Sequence, residues 1–238
     1  MAKLSSMPPV SVSQADLGLF GETWQRNGGS LSRTPPQSSS QLGNLFDEAV
    51  GKSLAAMLGG IPVVKPSATS LTSAMTDCVE VGPVRVIGGV RPQNFDAGYR
   101  PDGVRFAFDS KTLNDAASVK KNWQNMVNDL ATEATTVHSR FPHAVVAFMV
   151  IIPTPCLVEP QRSAMIETLE SLARRTSVED SDYMAEAMSL VLWNPEDGSL
   201  NEDFPSAASP LRIERFSGYV ETAYVSRYKG LPPHAVAE

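Results

Sequence analysis

Arg100-Pro101-Asp102-Gly103-Val104-Arg105-Phe106-Ala107-Phe108-Asp109-Ser110-Lys111 holds one carboxylate at a Pro-Asp-Gly turn and a second after a short apolar run, two residues before a lysine. A strand turns successive side chains to opposite faces. From Arg105 to Lys111 the spacing therefore predicts Asp109 and Lys111 on one side, Phe106 and Phe108 on the other. Both acids flank Phe106-Ala107-Phe108 and so belong at the rim of a core. Two carboxylates beside one ammonium suit a hard divalent cation together with an oxyanion.

Downstream, Ala116, Val119, Trp123, Met126, Leu130, Ala134 and Val137 recur every three or four residues, which predicts a helix with Asn114 as its N-cap. The nearly unbroken apolar run His143 to Ile152 is rich in β-branched residues and predicts a strand buried on both faces. A helix from Pro160, a short helical stretch over Tyr183 to Met188, a strand at Leu190-Val191-Leu192-Trp193 and a last helix from Leu211 to Tyr228 follow.

Upstream, Leu42, Leu45, Phe46, Ala49, Val50 and Leu54 fall at helical spacing and stop at Gly59-Gly60. Residues 61–76 are a Pro-, Ser- and Thr-rich connection. Cys78 to Val90 is β-like with an interruption at Gly82-Pro83, and a loop is expected through Arg91-Pro92-Gln93-Asn94. Residues 1–41 are punctuated by Pro-Pro and Gly-Gly pairs and read as a partly ordered arm, with Phe20 and Trp24 as its large apolar anchors. Helices alternating with strands give an α/β sandwich, a single domain at 238 residues.

A net charge of -6 excludes a protein that coats DNA through overall basicity, though it leaves room for a local basic cleft. Cys78 and Cys156 lack metal-ligand spacing and read as reduced thiols; with no apolar run of membrane-spanning length, a cytoplasmic protein is expected.

The Pro-Asp pair, the Asp-x-Lys triplet and the order helix, β-rich region, helix, strand resemble the PD-(D/E)XK nuclease superfamily, the fold of most type II restriction endonucleases. The likeness covers residues 42–152. It implies a restriction-endonuclease-like α/β sandwich over residues 42–238, with a central mixed sheet flanked by helices. It also implies that Asp102 and Asp109, with the main-chain carbonyl of Ser110, hold Mg2+, while Lys111 orients the attacking water and offsets charge on the phosphoryl oxygens. The gap between Asp102 and Asp109 is short, and Asp96 is the substitute first acid. Members of the superfamily often place a glutamate on the first helix; Glu48 fits that role, with Asp47 beside it left open. Lys120 and Gln124, on one face of the helix after the triplet, and Arg100 and Arg105, beside the signature, are the candidate DNA contacts.

The expected activity is sequence-specific, magnesium-dependent cleavage of double-stranded DNA by a homodimer with one site per strand. A binding or assembly module without catalysis, and a repair or recombination nuclease on the same fold, are the alternatives.

Overall fold

The computed structural model describes residues 4–31, 37–67 and 69–234. Its first elements are α1 (Gln14–Arg26), α2 (Gln37–Met57), β1 (Val63–Val64), β2 (Val79–Ile87), β3 (Pro92–Tyr99) and β4 (Phe106–Thr112). Then come α3 (Ala116–His138), β5 (Val145–Pro153), α4 (Gln161–Leu172), β6 (Ala187–Trp193) and α5 (Ile213–Tyr228). The strands form one mixed sheet in the order β1 to β6. The β2–β3 and β3–β4 pairs are antiparallel, whereas β1–β2, β4–β5 and β5–β6 are parallel.

Alternation along β5 sorts the two cores. Val145, Ala147, Met149 and Ile151 face Leu42, Phe46, Val50 and Leu54 of α2 and Phe216 and Val220 of α5. Val146, Phe148, Val150 and Ile152 face Val119 and Leu130 of α3 and Met165 and Leu169 of α4. Every residue of β5 is buried, as a parallel strand covered by helices on both faces requires. On β4, Phe106 and Phe108 join the α2 side and Ala107 the α3 side.

One local feature positions the site. β3 pairs with β4 only through Tyr99↔Phe106, Gly98↔Ala107 and Ala97↔Phe108. Beyond Ala97 it leaves β4 but stays on β2 as far as Pro92↔Ile87, while β4 runs on with β5 to Thr112↔Ile151. The sheet therefore forks, and Asp96 is the first β3 residue inside the opening.

Several sequence expectations are corrected. Pro92 to Asn94, expected as loop, opens β3; Pro at the first residue of a strand loses no ladder bond that it could have made. Residues 4–31 of the expected arm carry α1 and bury Met7, Val10, Leu17 and Leu31 in the α2-side core, with the Trp24 indole donating to the Asn114 carbonyl at 2.9 Å. Part of the remaining arm (32–36), residue 68 of the connection and the C-terminal 235–238 lie outside the described residues. The α3 cap is Asp115, whose carboxylate accepts from the Ser118 N–H, rather than Asn114. Tyr183 to Met188 is not helical; β6 begins at Ala187, and Glu186 before it is drawn into the interior by Arg175, Arg227 and the Val146 N–H. The irregularity expected at Gly82-Pro83 is a register shift between Val81 and Val84. Among the described residues no helix is long and apolar enough to cross a membrane.

Candidate functional site

At the fork, Lys111 and Ser110 draw in carboxyl groups from four elements, two to the ammonium and two to the serine. Asp109 and Lys111 stand on the α3 face of β4, and the Lys111 ammonium donates to Asp109 Oδ2 and, at 2.8 Å, to Glu133 Oε1 of α3. Glu133 Oε1 also accepts from Gln93 Nε2 of β3 at 3.0 Å. Asp96 fills the gap where the ladder stops: its Oδ2 accepts from the Ser110 N–H at 2.9 Å and from the Ser110 hydroxyl at 3.3 Å. In register Asp96 would face Asp109, a like-charge pair that disfavours closing the sheet at that point. From the α2 side comes Asp47, with the Ser110 hydroxyl as its hydrogen-bond partner.

The packing of α2 explains why Asp47 reaches the strands. Gly43, Asp47 and Gly51 recur every four residues and so share a face. A Cβ on Gly51 would lie 2.3 Å from Val81 Cγ2, and one on Gly43 would lie 3.1 Å from Ser110 Oγ. The helix backbone therefore rests against the sheet on either side of Asp47, close enough for a short acid to touch β4.

Burial and mutual repulsion leave this group short of positive charge. Desolvation, then Asp96 and Glu48, push the Asp47 carboxyl up to about 8 against the pull of the Ser110 hydroxyl. Burial first and Asp96 second raise Asp109 well above the ordinary carboxylate range, with Lys111 opposing them. Burial alone would lower Lys111, but Asp109 and Glu133 outweigh it and hold the ammonium charged. Asp47 Oδ1 and Glu133 Oε2 are both buried without a hydrogen-bond partner, a costly condition for a carboxylate oxygen. A cavity of about 610 Å3 opens beside the cluster on the α2 side, lined by Asn44, Asp47, Lys52, Lys65, Asn94 and Asp96 among others.

The donor set is all oxygen, which fits a hard cation such as Mg2+, and the orphaned Asp47 oxygen marks where positive charge is lacking. As they stand, no three His, Cys, Asp or Glu side chains among the described residues are close enough together to hold one. The Lys111 ammonium occupies Asp109, and Asp47 lies on the α2 side of the sheet.

The remaining sequence candidates fall elsewhere. Asp102 is not brought to Asp109: its carboxylate binds Arg105, at 2.7 Å from Nε, and its side chain is 61% exposed. Arg105 is itself buried, donates to the Pro232 carbonyl at 2.6 Å and lies over the Tyr228 ring, 4.7 Å from its centroid. Arg100 is buried against Glu80, at 2.5 and 3.0 Å, and donates to the carbonyls of Ser70, Thr72 and Arg85. Both arginines are consumed by the fold. Glu48 lines the same cavity as Asp47 and Asp96, but its side chain is exposed and pairs with Lys52 at 3.2 Å. Lys120 and Gln124 are exposed on α3. Ser110 is at the centre of the group, between Asp96 and Asp47.

Glu133 and Gln93 were missed by sequence reasoning. The signal for Glu133 was present: it lies three residues after Leu130 and seven after Met126, a charge on the buried stripe of α3. Comparison with known proteins adds no relative: no family model, no curated protein and no solved structure matches the chain.

Proposed function

We propose that the chain is a magnesium-dependent endonuclease acting on double-stranded DNA, with the site arranged as in the PD-(D/E)XK superfamily and the fold a restriction-endonuclease-like variant of its α/β class. Asp96 and Asp109 are the acid pair, Lys111 the ammonium, and Asp47 the acid from the first core helix. The observation that carries this reading is Asp96 bound to the Ser110 N–H at the β3–β4 fork, next to Asp109 and Lys111. The order α2, three-stranded meander, α3, β5 supports it.

Asp96 and Asp109 would hold the cation, and Asp47, hydrogen-bonded to Ser110 from the α2 side, would add its charge beside them. Bound there, it would supply positive charge to the scissile phosphate and acidify water at the site. Lys111, fixed on the same strand as Asp109, would orient water and offset charge growing on the phosphoryl oxygens. Lys52 and Lys65 line the cavity beside Asp47 and Asp96 and are suited to phosphates flanking the one attacked. With one such cluster among the described residues, cleavage of both strands of a palindromic site favours a homodimer.

A binding module without catalysis is the second reading, and two observations favour it: Lys111 already sits on Asp109, and among the described residues no three ligands converge. Crystals soaked in manganese, alongside plasmid and phage DNA incubated in magnesium and in EDTA, separate the two. An anomalous peak between Asp96 and Asp109 with cutting only in magnesium is the expected result. An empty fork and intact DNA across the panel would favour the binding module.

A further inference from the structure

We infer that Glu133 is a positioning residue that receives the Lys111 ammonium when a divalent cation takes Asp109; this rests on the proposed function. In the structure Lys111 Nζ bridges Asp109 and Glu133 Oε1, so its place depends on both acids. A doubly charged ion competing for Asp109 removes one of those two anchors. Asp109 sits two residues from Lys111 on the same strand, whereas Glu133 belongs to a separate, 23-residue helix. Glu133 therefore stays put when the ligands of β4 rearrange.

Three observations fit this role and are not explained by simple packing. Glu133 is buried to 3% exposure on a helix face that also buries Val119, Met126, Leu130, Ala134 and Val137, where an acid is costly unless paired. Its Oε1 is fixed by Gln93 Nε2 from β3, so one carboxylate ties α3 to both arms of the fork beyond the last β3–β4 pair. Its Oε2 is buried and unpartnered, a vacant acceptor next to the oxygen that Lys111 already uses. Moving from a bridge between two acids onto both oxygens of Glu133 costs the ammonium no hydrogen bond. It frees Asp109 for the cation and keeps the positive charge on the α3 side of the fork. A long flexible lysine without this second acceptor would stay on Asp109 and compete with the ion.

Manganese titration of the full chain without DNA, with free Mn2+ followed by electron paramagnetic resonance, tests the inference. The chains are wild type, Glu133→Gln, Lys111→Met and the double variant, each checked for folding by circular dichroism. Glu133→Gln should weaken Mn2+ binding by about tenfold, the scale of one charge-assisted contact. Lys111→Met, with no ammonium to displace, should bind more tightly than wild type. The double variant should match Lys111→Met to within about twofold, because Glu133 acts through Lys111. Gln93→Leu, which frees Glu133 without removing its charge, should weaken binding in the same direction and by less. Unchanged affinity in Glu133→Gln, or an equal loss with and without Lys111, would overturn the inference while leaving the cation site standing. No Mn2+ binding in any of the four chains would remove the site and the inference together.

Discussion

Burial first, and the neighbouring Asp96 second, push the Asp47 carboxyl up to about 8. This has a definite sign for stability. Between about pH 4, where the unfolded side chain ionises, and about pH 8 the folded chain binds the extra proton, so stability falls as pH rises, by at most about 1.4 kcal/mol per unit for one group. Urea titrations across that range should show the fall without metal. Asp47→Asn should flatten the slope by about one proton's worth and make the metal-free protein more stable than wild type at pH 8. An unchanged slope would show that Asp47 is not the group responsible. Cations bind the ionised form, so their affinity should rise over the same interval. In the sequence, Asp109 and Lys111 could be placed on one face of a strand by alternation alone. The choice between Asp47 and Glu48 could not be made from Leu45, one turn away from Glu48; the informative residues were Gly43 and Gly51, which mark the face of α2 pressed on the sheet.

At the scale of elements, α2 and the β3–β4 fork set the geometry. Gly51→Ala places a Cβ against Val81 Cγ2 and must push α2 outward, costing about 1–3 kcal/mol as overpacking does. Because Asp47 lies one turn before Gly51, the same substitution should weaken Mn2+ binding. Gly43→Ala, with a milder approach to Ser110 Oγ, should weaken binding with a smaller change in thermal midpoint. If Gly51→Ala lowers the midpoint and leaves Mn2+ affinity intact, α2 does not set the site. Strands and helices with strong periodicity were legible: β4, α3, β5 and α5 were expected within a few residues of where they lie. β3 was not, since Pro92, Asn94, Asp96 and Gly98 are poor strand formers and only Phe95 and Tyr99 argue for one. Pairing on β2 makes it a strand, and without that strand in view Asp96 could not be placed beside Asp109.

Across the whole molecule, the α/β class followed from the alternation of helical and strand-like segments, and the mixed sheet covered on both faces agrees with it. The arm did not follow from composition. Met7, Val10 and Leu17 are scattered among Pro, Ser and Gly; the Met7 and Val10 N–H groups donate to Glu221 and Ser217 of α5, and Leu17 is buried from α1. Whole-chain charge was equally uninformative about the site, because the buried guanidinium groups of Arg100 and Arg105 are spent on Glu80 and Asp102. The account stands on Asp96, not Asp102, as the partner of Asp109, and the most direct measurement compares those two. Supercoiled and linear duplex DNA incubated with wild type, Asp96→Asn and Asp102→Asn, each in magnesium and in EDTA, should be cut in magnesium alone by wild type and Asp102→Asn. Asp96→Asn should be silent while keeping the wild-type circular dichroism spectrum. Cleavage by Asp96→Asn at the wild-type rate, or its loss in Asp102→Asn alone, would contradict the account.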